Sequence, residues 1–256
     1  MARFSANLGF LWSALPLLER IELAAQNGFK AIELHWPYDT SPETVREACK
    51  RLALTLLAAN TPLGQPGESG LAALPGREAD FQKVFQQSLE WCVTAGAPAI
   101  HVMPGVIKES QRGIATQTMI NNLQWAADLA ALQGITLLLE AINPRDKPNY
   151  FYSTQSQSNA IREACGRSNI KLMFDVYHVG VAEGDILTKL ALYMPHIGHI
   201  QIAAVPSRAE PDEGEVNYPV VIKRIDELGY TGWIGAEYKA RAGVEDGLGW
   251  LAQYKN

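Results

Sequence analysis

One join recurs along this chain: a helical stretch closes on glycine or asparagine, and two or three residues later an apolar strand begins. GFKAIEL, GAPAIHV, GITLLLE, NIKLMFD and GYTGWIGAE are all versions of it. Parallel neighbours cannot be linked by a tight hairpin, so a chain alternating helix and strand in this way is bound to a parallel sheet with its helices outside. Eight strands are expected, at residues 3–8, 31–36, 55–60, 99–103, 135–142, 170–178, 196–203 and 233–238. Over 256 residues they leave 32 per unit, close to the least that a right-handed βα crossover needs. The expected fold class is α/β, a single (β/α)8 TIM barrel forming one domain over residues 1–256. Its rival, a doubly wound open sheet, would more naturally carry a nucleotide fingerprint, and neither G-x-G-x-x-G nor G-x-x-x-x-G-K-[ST] follows any strand.

The punctuation between strands agrees. Pro16 opens a helix, and Ser41-Pro42-Glu43 supplies an N-cap, a proline at the first helical position and an early acid. Further helices are expected up to Gly96, over 115–133, 155–165, 184–194 and 220–229, and from 244 to the end. Residues 61–78 form a connection with four glycines and three prolines. Its length exceeds the roughly 12 to 15 residues of an ordinary loop, so it reads as a lid. A second long connection, AVPSRAEPDEGEVNYP, follows strand seven.

The strand ITLLLEAI is apolar until an acid, Glu140, ends the run. IKLMFD does the same at Asp175, HIGHIQIA carries Gln201 near its end, and WIGAEY carries Glu237. These side chains fall on the carboxyl face, where barrels build active sites. A single acid there also caps helices or pairs with arginine; four oxygen donors together point to one shared site. Three carboxylates packed without a cation raise one another's pKa, so a divalent ion is the economical way to keep them charged. An all-oxygen set selects a hard ion, Mg2+ or Mn2+, over zinc. Such an ion can chelate adjacent oxygens of a hydroxy-carbonyl compound while a carboxylate takes a proton from carbon. A keto acid also needs a cation for its own carboxylate. Arg208, in the second long connection, and Lys239 are the candidates, arginine being the better fork. His35 and His101 are expected to be packing residues, and Glu33 is a further acid near the mouth.

RFSANL, LPGRE at 74–78, HVMPG at 101–105, LLLEAIN, FDVYH, GHIQIA, PSRAEPDEGEVNYP and GWIGAEYK together resemble the hydroxypyruvate isomerase family, within the xylose-isomerase-like barrel superfamily. LPGRE, HVM and the acidic loop are closer to its 2-oxo-tetronate isomerase branch. The resemblance implies Glu140 and Glu237 as a proton-transfer pair, and Glu140, Asp175, Gln201 and Glu237 as metal ligands. It also implies His178, in a D-x-x-H pattern after Asp175, as a group that orients a substrate oxygen. Ala240, where the family often has proline, and Phe10-Leu11-Trp12, in place of a Met-rich stretch, are departures that bear on substrate choice rather than reaction type.

The expectation is therefore an isomerase of short hydroxy-keto acids, acting on 2-oxo-tetronate or hydroxypyruvate through an enediolate. The same residues admit a sugar 3-epimerase of the superfamily, a metal-independent glycoside hydrolase using Glu140 and Glu237, or a non-catalytic binding barrel. The net charge of −5 and the lack of a basic run oppose nucleic acid as a partner, including the substrate of a zinc-dependent repair nuclease. No apolar stretch reaches the length of a membrane span. FSANLGFLWSALPLL is broken by Asn7, Ser13 and Pro16 and lacks a cleavage site, so it is not read as a signal peptide. Cys49, Cys92 and Cys165 are odd in number and far apart, which suits reduced thiols in a cytoplasmic protein. A small sugar acid is the expected partner, and a homo-oligomer stays open.

Overall fold

The computed structural model describes residues 2–254. Strands β1 (Arg3–Asn7), β2 (Ala31–Leu34), β3 (Thr55–Asn60), β4 (Ala99–His101), β5 (Thr136–Glu140), β6 (Ile170–Asp175), β7 (Ile197–Ile202) and β8 (Trp233–Ala236) form a closed parallel barrel in sequence order. The ring shuts where Arg3 lies opposite Trp233 and Ala6 opposite Ala236. Outside it run α1 (Leu17–Gln26), α2 (Pro42–Arg51), α3 (Glu78–Ala95), α4 (Arg112–Ala131), α5 (Gln155–Cys165), α6 (Val176–Ala182), α7 (Ile186–Tyr193), α8 (Tyr218–Glu227) and α9 (Val244–Gly247). The Ser41 hydroxyl accepts from Thr44 N at 3.4 Å, which is the cap its sequence promised for α2. Among the described residues no helix is long and apolar enough to cross a membrane, and the three cysteines are free and buried.

Alternation along the strands divides the interior. Ile32, Ile100, Leu137, Leu139, Phe174, Ile200 and Ile234 are fully buried in the main core, which they share with helix residues such as Ile21, Val45 and Phe85. Ala58, Leu138 and Met173 form a separate small cluster, the apolar floor inside the barrel. Side chains two positions on share that inner face. Leu138 is followed by Glu140, Met173 by Asp175, His199 by Gln201 and Gly235 by Glu237. The polar ends thus stand one layer above the floor, at the carboxyl mouth.

Three expectations change. Residues 176–178 are not a strand exit: Asp175 Oδ1 accepts from Tyr177 N at 2.7 Å and starts α6 there, so His178 sits in the first turn of a helix. The closing segment is α-helical only over Val244–Gly247 and continues as a 3₁₀ helix, Leu248–Tyr254; the last two residues of the expected helix lie outside the described ones. The 61–78 connection is tied down, because Ala72 N donates to Met103 O, Ala73 N to Pro104 O and Asn122 Nδ2 to Ala72 O.

Candidate active site

A cavity of about 420 Å3 opens at the carboxyl mouth. Glu140, Glu237, His178, Arg208 and Lys239 line it; Asp175 and Gln201 are buried and do not. They adjoin the others through the register, Asp175 lying opposite Gln201, and Gln201 opposite Gly235. Lys239 is exposed at the rim, and its backbone N donates to Arg208 O. Arg208 reaches across: one guanidinium nitrogen is 3.3 Å from Glu237 Oε2 and 4.0 Å from Asp175 Oδ2, the other 3.0 Å from Asp146 Oδ2.

Charge is distributed unevenly among the acids. Burial, with Glu237 and Asp175 close by, pushes Glu140 well above the ordinary carboxylate range. Burial and Glu237 push Asp175 up to about 8. Burial acts the same way on Glu237, but the hydrogen bond from His35 and the charge of Arg208 outweigh it and bring Glu237 down to about 2. Burial would lower Arg208, yet Glu237, Asp175, Glu140 and Asp146 around it raise it instead. Two neighbouring glutamates are thereby set apart, Glu140 raised and Glu237 lowered.

His178 has its tautomer fixed by a relay. Asp146 N donates to Asn143 Oδ1 at 2.9 Å, so the Asn143 amide turns its Nδ2 to His178 Nδ1 at 2.7 Å. Asn143 N adds a second donor to the same atom at 3.3 Å. Burial lowers His178 to about 3, so the ring is neutral near pH 7 and carries its proton on Nε2. That N–H lies 3.6 Å from both Glu140 Oε1 and Asp175 Oδ2, too far for a hydrogen bond to either. It is a donor to whatever oxygen enters the site, and not a metal ligand in this state.

The carboxylates of Glu140 and Asp175 fit a metal ion: in the buried group they form with His178, one ligating atom of each residue lies within 4.8 Å of the others. With Asp175 Oδ1 occupied as a helix cap, Asp175 Oδ2 is buried without a hydrogen-bond partner, and so is Gln201 Oε1. Two orphaned oxygens on β6 and β7, the strands that follow the one carrying Glu140 around the ring, are what a cation would complete. Glu237 differs: Asn7 and His35 donate to its Oε1 at 3.1 and 3.0 Å, and Arg208 takes its Oε2.

His35 was expected to pack and instead holds Glu237; His101 Nδ1 lies 3.6 Å from Glu140 Oε2 and lines the cavity. Asn7, Asn143, Asp146 and Lys147 were not singled out at all. Position at a strand end was the available signal for Asn7 and Asn143. Asp146 and Lys147 sit in a connection whose path the sequence pattern does not give.

The xylose isomerase-like TIM barrel family model matches residues 21–254. A 2-oxo-tetronate isomerase of Cupriavidus necator is 45% identical, covering 99% of each chain. The hydroxypyruvate isomerase of Escherichia coli is 34% identical over all of both chains. Among solved structures, a Brucella melitensis protein named AP endonuclease, family 2, superposes with a TM-score of 0.97 at 36% identity, covering 100% of each chain.

Proposed function

Since this chain belongs to the xylose isomerase-like TIM barrel family, we propose that it is an isomerase of short hydroxy-keto acids, converting 2-oxo-tetronate to 3-oxo-tetronate or hydroxypyruvate to tartronate semialdehyde. The relatives that carry those names span its whole length. The observation that carries the reading is one cavity that gathers Glu140, which burial raises, Glu237, which His35 and Arg208 lower, the Nε2–H of His178 and the fork of Arg208. Glu237 takes the proton from the hydroxyl-bearing carbon, and its electron pair moves to the neighbouring carbonyl, giving an enediolate. His178 donates to the oxygen where charge develops, and Arg208 holds the carboxylate. Glu140 returns a proton to the former carbonyl carbon, while the hydroxyl proton passes between the two oxygens. Composition is unchanged, and the two glutamates end with their protonation exchanged.

Glu140, Asp175 and Gln201, with Glu237 once Arg208 engages a substrate, are the proposed holders of Mg2+ or Mn2+. A divalent ion there would polarise adjacent substrate oxygens. Lys147, Arg208 and Lys239 on the cavity wall favour an acid over the neutral sugar of an epimerase. The Brucella likeness brings a nuclease to mind, but a nucleic-acid substrate needs a basic face, and the net charge is −5.

Proton NMR in D2O tests the reaction with each keto acid, with Mg2+ and with EDTA. Deuterium entering a substrate carbon together with a new isomer is expected, and Glu140→Gln or Glu237→Gln should slow both by about 10³-fold. Neither exchange nor isomer from either acid would sink the isomerase reading, and turnover undiminished by EDTA would remove the metal from it.

A further inference from the structure

Gln201 reaches the site with one end of its amide already taken. Its Nε2 donates to Glu33 Oε2 at 2.9 Å, while its Oε1 is buried without a hydrogen-bond partner. Glu33 stands on β2, across the ring from β7. Glu33 Oε2 also accepts from His199 Nε2 at 3.0 Å, and Oε1 accepts from Ser5 Oγ at 3.2 Å, all within the barrel interior. The space for this carboxylate is made by Gly235, where an added methyl would come within 2.0 Å of Glu33 Oε1. A side chain on β8 at this level would expel it.

We propose that Glu33 is a positioning residue that fixes the Gln201 amide so that its oxygen, rather than its NH2, faces the cation site beside Asp175. The inference rests on the cation site just described and extends it to a side chain with no place in that donor set. A primary amide presents a ligand on one side and two N–H donors on the other. Turned over, Gln201 would set its oxygen against the lone pairs of Glu33 Oε2 and its NH2 toward a cation, and both contacts are repulsive. His199 holds Oε2 from its other side, so Glu33 cannot swing to relieve the clash. Gln201 and Asp175 are register partners, and the orphaned oxygens of both are buried. Partners that orient ligands in this way commonly account for about 10–100-fold in metal affinity.

Titration of the metal-free protein with Mn2+, following the free ion by electron paramagnetic resonance, tests this without turnover. Glu33→Gln can keep its amide oxygen at the Oε2 position, where it still accepts from both Gln201 Nε2 and His199 Nε2, so Mn2+ affinity is expected within about threefold of the parent. Glu33→Met fills the same space without an acceptor and leaves the Gln201 amide free to turn over. Its Mn2+ affinity is expected to fall by about 10–100-fold, with the thermal midpoint of the metal-free protein little changed. A space-filling role would be kept by methionine. If Glu33→Met does not fold, Gly235→Ala, which expels the same carboxylate from β8, decides in its place: the same loss supports the proposal, and parental affinity overturns it. Unchanged affinity in Glu33→Met, a loss in Glu33→Gln as large as in Glu33→Met, or no Mn2+ binding by the parent protein, also overturns it. Because no substrate is present, failure of both keto acids to react would sink the proposed reaction and leave this result standing.

Discussion

Arg208 is held between two aromatic rings, its guanidinium carbon 4.6 Å from the centre of Phe10 and 4.9 Å from that of Tyr177. Its φ of +58° is one that non-glycine residues adopt at a cost of about 1–2 kcal/mol. The bonds Arg208 N to Ala204 O and Lys239 N to Arg208 O hold it there. Lysine keeps the charge and loses both the fork and the stacking. Arg208→Lys should therefore lower kcat/KM for a keto acid by about 10–100-fold, chiefly through KM, the worth of one or two charge-assisted hydrogen bonds. A neutral hydroxyketone of the same length should be little affected, and equal losses on both would remove carboxylate binding as its role. At this scale the sequence shows the acids plainly, because each interrupts an apolar run at a strand end. It hides their partners: His35 and Asn7 meet Glu237 only because β8 closes on β1, a contact more than two hundred residues apart in the chain.

Among the elements, the 61–78 connection departs most from its expected behaviour. Its centre is pinned between the β4 exit and α4, with Ser69 and Leu63 on the cavity wall. Gly70 is the tightest point: φ is +121°, and an added methyl would lie 2.3 Å from Met103 O. Gly70→Ala should destabilise the protein by about 2–4 kcal/mol, combining backbone strain with overpacking. The thermal midpoint should drop by roughly 5–10 °C, and a drop under about 2 °C would show that the connection yields freely. Strand and helix positions were legible here because period and punctuation are local: β3 and α5 fall where the sequence puts them. The pinned loop was not, since glycine and proline content announces a turn without saying what it packs on. The helix at Val176–Ala182 was hidden for a related reason, its apolar residues continuing the run of β6 without a break.

At the scale of the whole molecule, the buried acids and histidines make folding depend on pH in opposite ways. Burial raises Asp175 from 3.8 to about 8 and raises Glu140 as well, so between those limits the folded chain holds more protons than the unfolded one. Stability from these groups falls as pH rises. Burial lowers His101 and His178 from 6.5 to about 3, so between those values the unfolded chain holds more protons and stability rises with pH. The two trends oppose each other from about pH 3.8 to 6.5, and above that only the acids act. In EDTA, the unfolding free energy should therefore fall between about pH 6.5 and 8, by on the order of 1–2 kcal/mol from Asp175 alone. A divalent cation replaces the proton on Asp175, and its binding strengthens as that carboxylate ionises. With saturating Mg2+ or Mn2+ the same fall should vanish or reverse. Urea unfolding followed by tryptophan fluorescence at several pH values would measure both slopes. Identical slopes with and without the cation would mean that these acids are stabilised by Arg208 and their histidines alone, and that the barrel mouth holds no metal.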